Sequence, residues 1–140
     1  MLLDMGLMIF KVQMSIVIKD EVMEACLLFE NNMPDTIYLD GMTLCWKNKI
    51  ERDMFVIIDK SGNEVDYIES IKNREIKPED FVQLNKGDQF KAIVNINEAY
   101  DLRKGEKYTV QYSAYNPSSY DPDDHMLIKM ESDVVDVIYQ

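Results

Sequence analysis

Residues able to do covalent chemistry are few in this chain, and they are scattered. His125 is the single histidine among 140 residues, and Cys26 and Cys45 are the only cysteines. A Ser-His-Asp or Cys-His arrangement would have to run through His125, which stands among prolines and aspartates with no orienting partner in view. A zinc site made from His125, Cys26 and Cys45 would lack the short ligand spacings such sites use. Asp121, Asp123 and Asp124 are oxygen donors of the kind calcium takes. The glycine and terminal glutamate of an EF-hand loop are absent, however, so a solvated acidic loop is the better reading. Neither GxxxxGK[ST] nor GxGxxG occurs, so nucleotide binding has no motif support. With 26 acidic side chains, a catalytic carboxylate pair cannot be singled out by counting. The expectation is a protein without catalytic activity, metal or cofactor. His125 then reads as a loop histidine. The two cysteines, each in an apolar strand-like run and outside any CxxC pair, read as buried free thiols.

The elements that carry these residues are short and alternate in polarity. In the stretch 81–112, Phe90, Ala92, Val94 and Ile96 alternate with Gln89, Lys91, Ile93 and Asn95, the period of a half-buried strand. Tyr108, Val110 and Tyr112 alternate with Lys107, Thr109 and Gln111 in a second such run, facing the first across a corner. Asn85-Lys86-Gly87-Asp88 and Arg103-Lys104-Gly105 supply turn chemistry before each run. The spacing Leu102-x-x-Gly105-x-x-Tyr108 is that of a tyrosine corner, in which a tyrosine opening a strand bonds back to upstream backbone.

Earlier in the chain, Val12 to Ile18 and Val22 to Glu30 alternate as two strands around a turn at Lys19-Asp20-Glu21. Met23, Ala25, Leu27 and Phe29 share one face. The turn residues Asn31 to Asp35 end the second strand. Thr36 to Leu39 forms a short third strand, followed by Thr43 to Lys47 with the only tryptophan, Trp46. Met54 to Ile58 is continuously apolar, as for a strand covered on both faces. The loop Asp59 to Asn63 turns into Val65 to Ile68 as a hairpin. Pro78-Glu79-Asp80 is suited to one helical turn. Met126 to Met130 and Val134 to Tyr139 close the chain as one bent strand or two short ones. Short strands with frequent turn signals define an all-β fold, here an immunoglobulin-like antiparallel β-sandwich in a single domain.

Composition limits the partners. At 46% hydrophobic and 29% charged residues, the chain is globular and long enough for its own core. Residues 1–10 read as an extension or the start of the first strand, and 11–140 as the domain. A net charge of -11 repels phosphate backbones, which excludes nucleic acid and suits electrostatic steering toward a basic protein. The opening MLLDMGLMIF lacks a basic n-region and a small-residue cleavage site. No run approaches the roughly 20 apolar residues of a membrane span, so no membrane partner is expected and the cytoplasm is the expected compartment.

Three features offer a binding surface. The loop from Asn116 through Pro117, Tyr120, Asp121, Asp123 and Asp124 to His125, entered from Tyr115, is long for a hairpin connection and stiffened by two prolines, with Tyr120 as an aromatic anchor. Trp46 with Lys47, Lys49 and Arg52 is the second, against the competing role of a core tryptophan. The strip Lys72, Arg74 and Lys77 is the third, against that of a lysine-guarded edge.

The order of motifs also resembles a known domain. Asp53 to Val65 (DMFVIIDKSGNEV) followed by Asp66-Tyr67 reads as strand, glycine turn and V-x-Y. A basic segment ending in Pro78 precedes Asp80-Phe81-x-x-Leu84-x-x-Gly87. Then come Val94-Asn95-Ile96, Ala99-Tyr100-Asp101-Leu102, Gly105 and Tyr108-Thr109-Val110-x-Tyr112. Over roughly residues 10 to 115 the series resembles the N-terminal β-domain of deuterolysin-type (aspzincin) zinc metallopeptidases. Those enzymes carry zinc in a separate HExxH domain, and this chain contains no HExxH. The resemblance therefore implies a peptidase-binding or inhibitor-like module. An immunity protein neutralising a basic toxin is the alternative that charge favours, and an assembly module using a free sheet edge is a third. No motif specifies an oligomeric state.

Overall fold

The computed structural model describes residues 10–69, 78–117 and 127–139, and they form an all-β protein built from antiparallel sheets. Strands β1 (Phe10–Lys19) and β2 (Val22–Asn31) make a hairpin, and β2 also pairs with β6 (Gln89–Asn95). A second sheet joins β4 (Phe55–Asp59), β7 (Lys107–Pro117), β8 (Leu127–Glu131) and β9 (Val135–Ile138). A two-stranded ladder pairs β3 (Ile37–Asp40) with β5 (Phe81–Leu84).

Alternation decides which faces are buried. Met23, Ala25, Leu27 and Phe29 of β2 are each 0% exposed, with Ala92 and Val94 of β6 beside them on the same face. Tyr108, Val110 and Tyr112 point inward from β7. The two faces meet where Phe29 lies edge-on to Tyr112 at 5.3 Å between centroids, and Tyr112 edge-on to Phe55 at 5.8 Å. Burying such rings stabilises by about 2 kcal/mol each, with edge-to-face geometry adding to it.

Backbone geometry sharpens the sequence reading at three places. Asp20 and Glu21 connect β1 to β2 as a two-residue turn, both with positive φ (50° and 68°). This is the turn whose twist matches a hairpin, here achieved without glycine. The closing residues form two short strands, β8 and β9, that follow one another along β7. Glu131 faces Ser113 while Val135 faces Val110, so four steps from β8 to β9 oppose three on β7, a β-bulge at 132–134. The Tyr112 N–H donates to the Ser132 hydroxyl there at 3.0 Å. At the corner, the Arg103 N–H donates to the Tyr108 phenol oxygen at 2.9 Å, as the tyrosine-corner spacing predicts.

Four expectations need correction. Cys45 does not lie in a strand: it sits buried in the tight turn after β3 with φ 55°, while Cys26 does lie in β2. β4 is covered on one face only, because Phe55 and Ile57 are buried and Val56 is 36% exposed. In place of a hairpin strand over Val65 to Ile68, the structure has two isolated bridges, Glu64 to Ile58 and Tyr67 to Tyr100. Asn116 and Pro117 belong to the β7 ladder, opposite Ile128 and Leu127, and not to a loop. Pro78–Asp80 is a single 3-10 turn, as expected.

Candidate binding surface

Several polar side chains are committed to the interior. Asp40 is 2% exposed, receives Arg52 at 2.9 Å, and accepts the Met42 N–H at 3.0 Å, which fixes the turn leaving β3. Tyr112 donates its hydroxyl to the Thr43 carbonyl at 2.5 Å across the core. Tyr100 donates to Asp53 at 2.6 Å and accepts the Phe55 N–H at 3.1 Å. Burial, then the Asp53 carboxylate, pushes the Tyr100 phenol far above its ordinary range. Burial also holds the Cys45 thiol up at about 12, so it is an inert packing group. Tyr139 donates to the Glu21 carbonyl and accepts from Asn97 at 2.8 Å, clasping the β1–β2 hairpin tip to the end of the chain.

Exposed carboxylates gather elsewhere, at one end of the molecule. The loop after β4 is shaped by Asp59, whose carboxylate accepts the N–H groups of Ser61 and Asn63, both at 2.9 Å. The 64–69 segment is held alongside by the Ile68 N–H to the Ala99 carbonyl at 2.8 Å, which turns Glu64 and Asp66 outward between Val65 and Tyr67. The tyrosine corner places Asp101, Arg103 and Glu106 opposite. Between them lies an open groove of about 520 Å³. Among the described residues, Asp59, Glu64, Asp66, Asp101 and Glu106 line it, against Lys60 and Arg103 as the only cations and with Ile68 as an apolar contact. Lys60 reaches Glu106 at 3.7 Å, too exposed a pair to neutralise the groove. Five carboxylates in one concavity give a negative field that concentrates cationic side chains.

The anticipated binding residues fare differently. Trp46 is half-buried, its indole packed so closely on Gly41 that any Cβ there would overlap the ring, with the Lys47 ammonium 5.3 Å above it. Tyr115 is 64% exposed on the outer face of β7, with the Lys129 ammonium 5.6 Å over its ring. These two anchors sit on different elements, and neither lines the acidic groove. Tyr120, Asp121, Asp123, Asp124 and His125 lie outside the described residues, as do Lys72, Arg74 and Lys77. Sequence reading missed the groove because its acids come from three separate segments. The one local signal was the alternation of Glu64 and Asp66 with Val65 and Tyr67.

Among the described residues, no cluster of three or more His, Cys, Asp or Glu side chains is arranged to hold a metal, and no helix is long and apolar enough to cross a membrane. No protein-family model matches the chain, and no curated protein is similar to it.

Proposed function

We propose that this chain is an immunoglobulin-like sandwich that acts as a binding module for a basic protein surface, without catalysis. The observation that carries the reading is the carboxylate-lined groove at the end of the sheets, on a chain of net charge -11. Such a field steers a cationic partner and raises its on-rate, with affinity that falls as salt rises. A partner lysine or arginine would enter among Glu64, Asp66 and Asp101, with Ile68 giving an apolar seat. The resemblance to the aspzincin companion domain makes a peptidase one candidate partner. A basic toxin is the other, and the charge of the groove favours it equally.

The test is capture from host lysate with tagged protein at low and then moderate salt, run beside the double variant Glu64→Lys/Asp101→Lys. A basic partner held by the wild type, lost by the variant and identified by mass spectrometry as peptidase or toxin supports the reading. Identical captured sets for both proteins would sink it.

A further inference from the structure

The outward face of the β4-β7-β8-β9 sheet is unlike the rest of the surface. Among the described residues, four of the seven exposed large apolar side chains lie on these strands or at the bulge: Val56 (36%), Tyr115 (64%), Val134 (57%) and Ile138 (49%). The charges among them nearly balance, with Lys107 and Lys129 against Glu131, Asp133 and Asp136, and Lys129 already reaches Glu131 at 3.3 Å. On a chain of net charge -11, two copies repel unless they meet on a nearly neutral face. This face also carries both halves of a fit. A hollow of about 460 Å³ opens beside Ile58, Thr109 and Ile138. Tyr115 projects from the same side of β7 six residues beyond Thr109, about 20 Å along the strand. Thr109 has Asp136 as its neighbour across the ladder, and Tyr115 has Lys129.

We propose that this face docks against the same face of a second copy of this chain, in an antiparallel pair whose dyad lies in the sheet–sheet gap, perpendicular to β7 and level with Tyr112. Turning one copy about that dyad exchanges the level of Tyr115 with that of Thr109, while the β8–β9 side stays over the β8–β9 side. Each Tyr115 ring then enters the other copy's hollow, and each Lys129 ammonium meets the other copy's Asp136 carboxylate. Val56 and Val134, at the level of the dyad, form the apolar centre. Three strands spaced about 4.8 Å apart, with residues rising about 3.4 Å along the 11-residue β7, give a footprint of roughly 500 Å² per copy. A pair therefore buries on the order of 1,000 Å², the size of a reversible dimer. The hollow adjoins the acidic groove and shares Asp59, Lys60 and Tyr108 with it, whereas Glu64 and Asp101 line the groove alone.

Sedimentation equilibrium of the full chain from about 10 μM to about 1 mM tests it. The wild type is expected to show a reversible monomer–dimer equilibrium. Lys129→Asp and Asp136→Lys should each weaken dimerisation about tenfold, and the double swap should return it to within about threefold of wild type. Tyr115→Ala, at an exposed position, should weaken it about tenfold with an unchanged circular dichroism spectrum. A monomer at every concentration would overturn the proposal. So would a dimer insensitive to the single charge reversals. The Glu64→Lys/Asp101→Lys variant should dimerise like wild type, so the groove reading and this one fail independently.

Discussion

Asp40 and Asp101 are both carboxylates beside an arginine-bearing segment, yet they occupy opposite surroundings. Asp40 is 2% exposed, and its charge is met by the Arg52 guanidinium and the Met42 N–H. Asp101 is exposed on the wall of a groove where, among the described residues, carboxylates outnumber cations five to two. The first has been desolvated, so the fold depends on its partners. The second keeps its water, so its charge adds little to stability and remains available as field. Position in the fold, not residue type, separates a carboxylate that holds the structure from one whose charge is left at the surface.

The largest effect that can break this comparison is at Arg52. Arg52→Ala leaves Asp40 buried without its cation, and should cost about 3 kcal/mol in denaturant unfolding. Adding Asp40→Asn should return part of that loss, since the uncompensated charge is gone. A cost under about 1 kcal/mol would mean that water reaches Asp40 freely, and the contrast with the groove would dissolve.

Next in size is Tyr100→Phe. It removes the partner of the buried Phe55 N–H and of Asp53 together, for about 2 kcal/mol. The phenol also sets an alkaline limit. Its folded pKa is raised above the ordinary 10.0, so its contribution is complete below that pH and is lost as pH rises further, because the unfolded chain ionises first. Chemical denaturation between neutral pH and pH about 11 should show wild type losing more stability than Tyr100→Phe. Parallel losses would show that the Tyr100 hydroxyl is already open to solvent.

How much of this was legible beforehand follows from the range of each interaction. The inward faces of β2, β6 and β7 were readable because burial alternates residue by residue, a local pattern. The tyrosine corner was readable because the contact from Arg103 to Tyr108 spans five residues. Cys45 was misplaced because its apolar neighbours suit a strand, while only the folded turn requires φ 55°. The bulge at 132–134 depends on a register with β7 that no single strand encodes. Pro117 looked like loop chemistry, but a proline is tolerated at the end of a ladder. The groove lay beyond reading for a stronger reason: Asp59, Glu64 and Asp101 become neighbours only when the corner folds against the loop after β4. In a chain this acidic, no local cue separates them from the others.

The smallest expected effect is the most telling for the comparison. Glu64→Lys/Asp101→Lys replaces two groove carboxylates by cations and moves the net charge by +4, from -11 to -7. If these side chains only supply field, unfolding free energy should stay within about 0.5 kcal/mol of wild type, tending upward because like-charge repulsion in the groove is relieved. The same change should slow capture of a basic partner at low salt and matter progressively less as salt rises, because the exposed field is screened. A loss of more than about 2 kcal/mol would show that these carboxylates are anchored as Asp40 is. The groove would then be part of the scaffold, and recognition would have to be sought on the sheet faces.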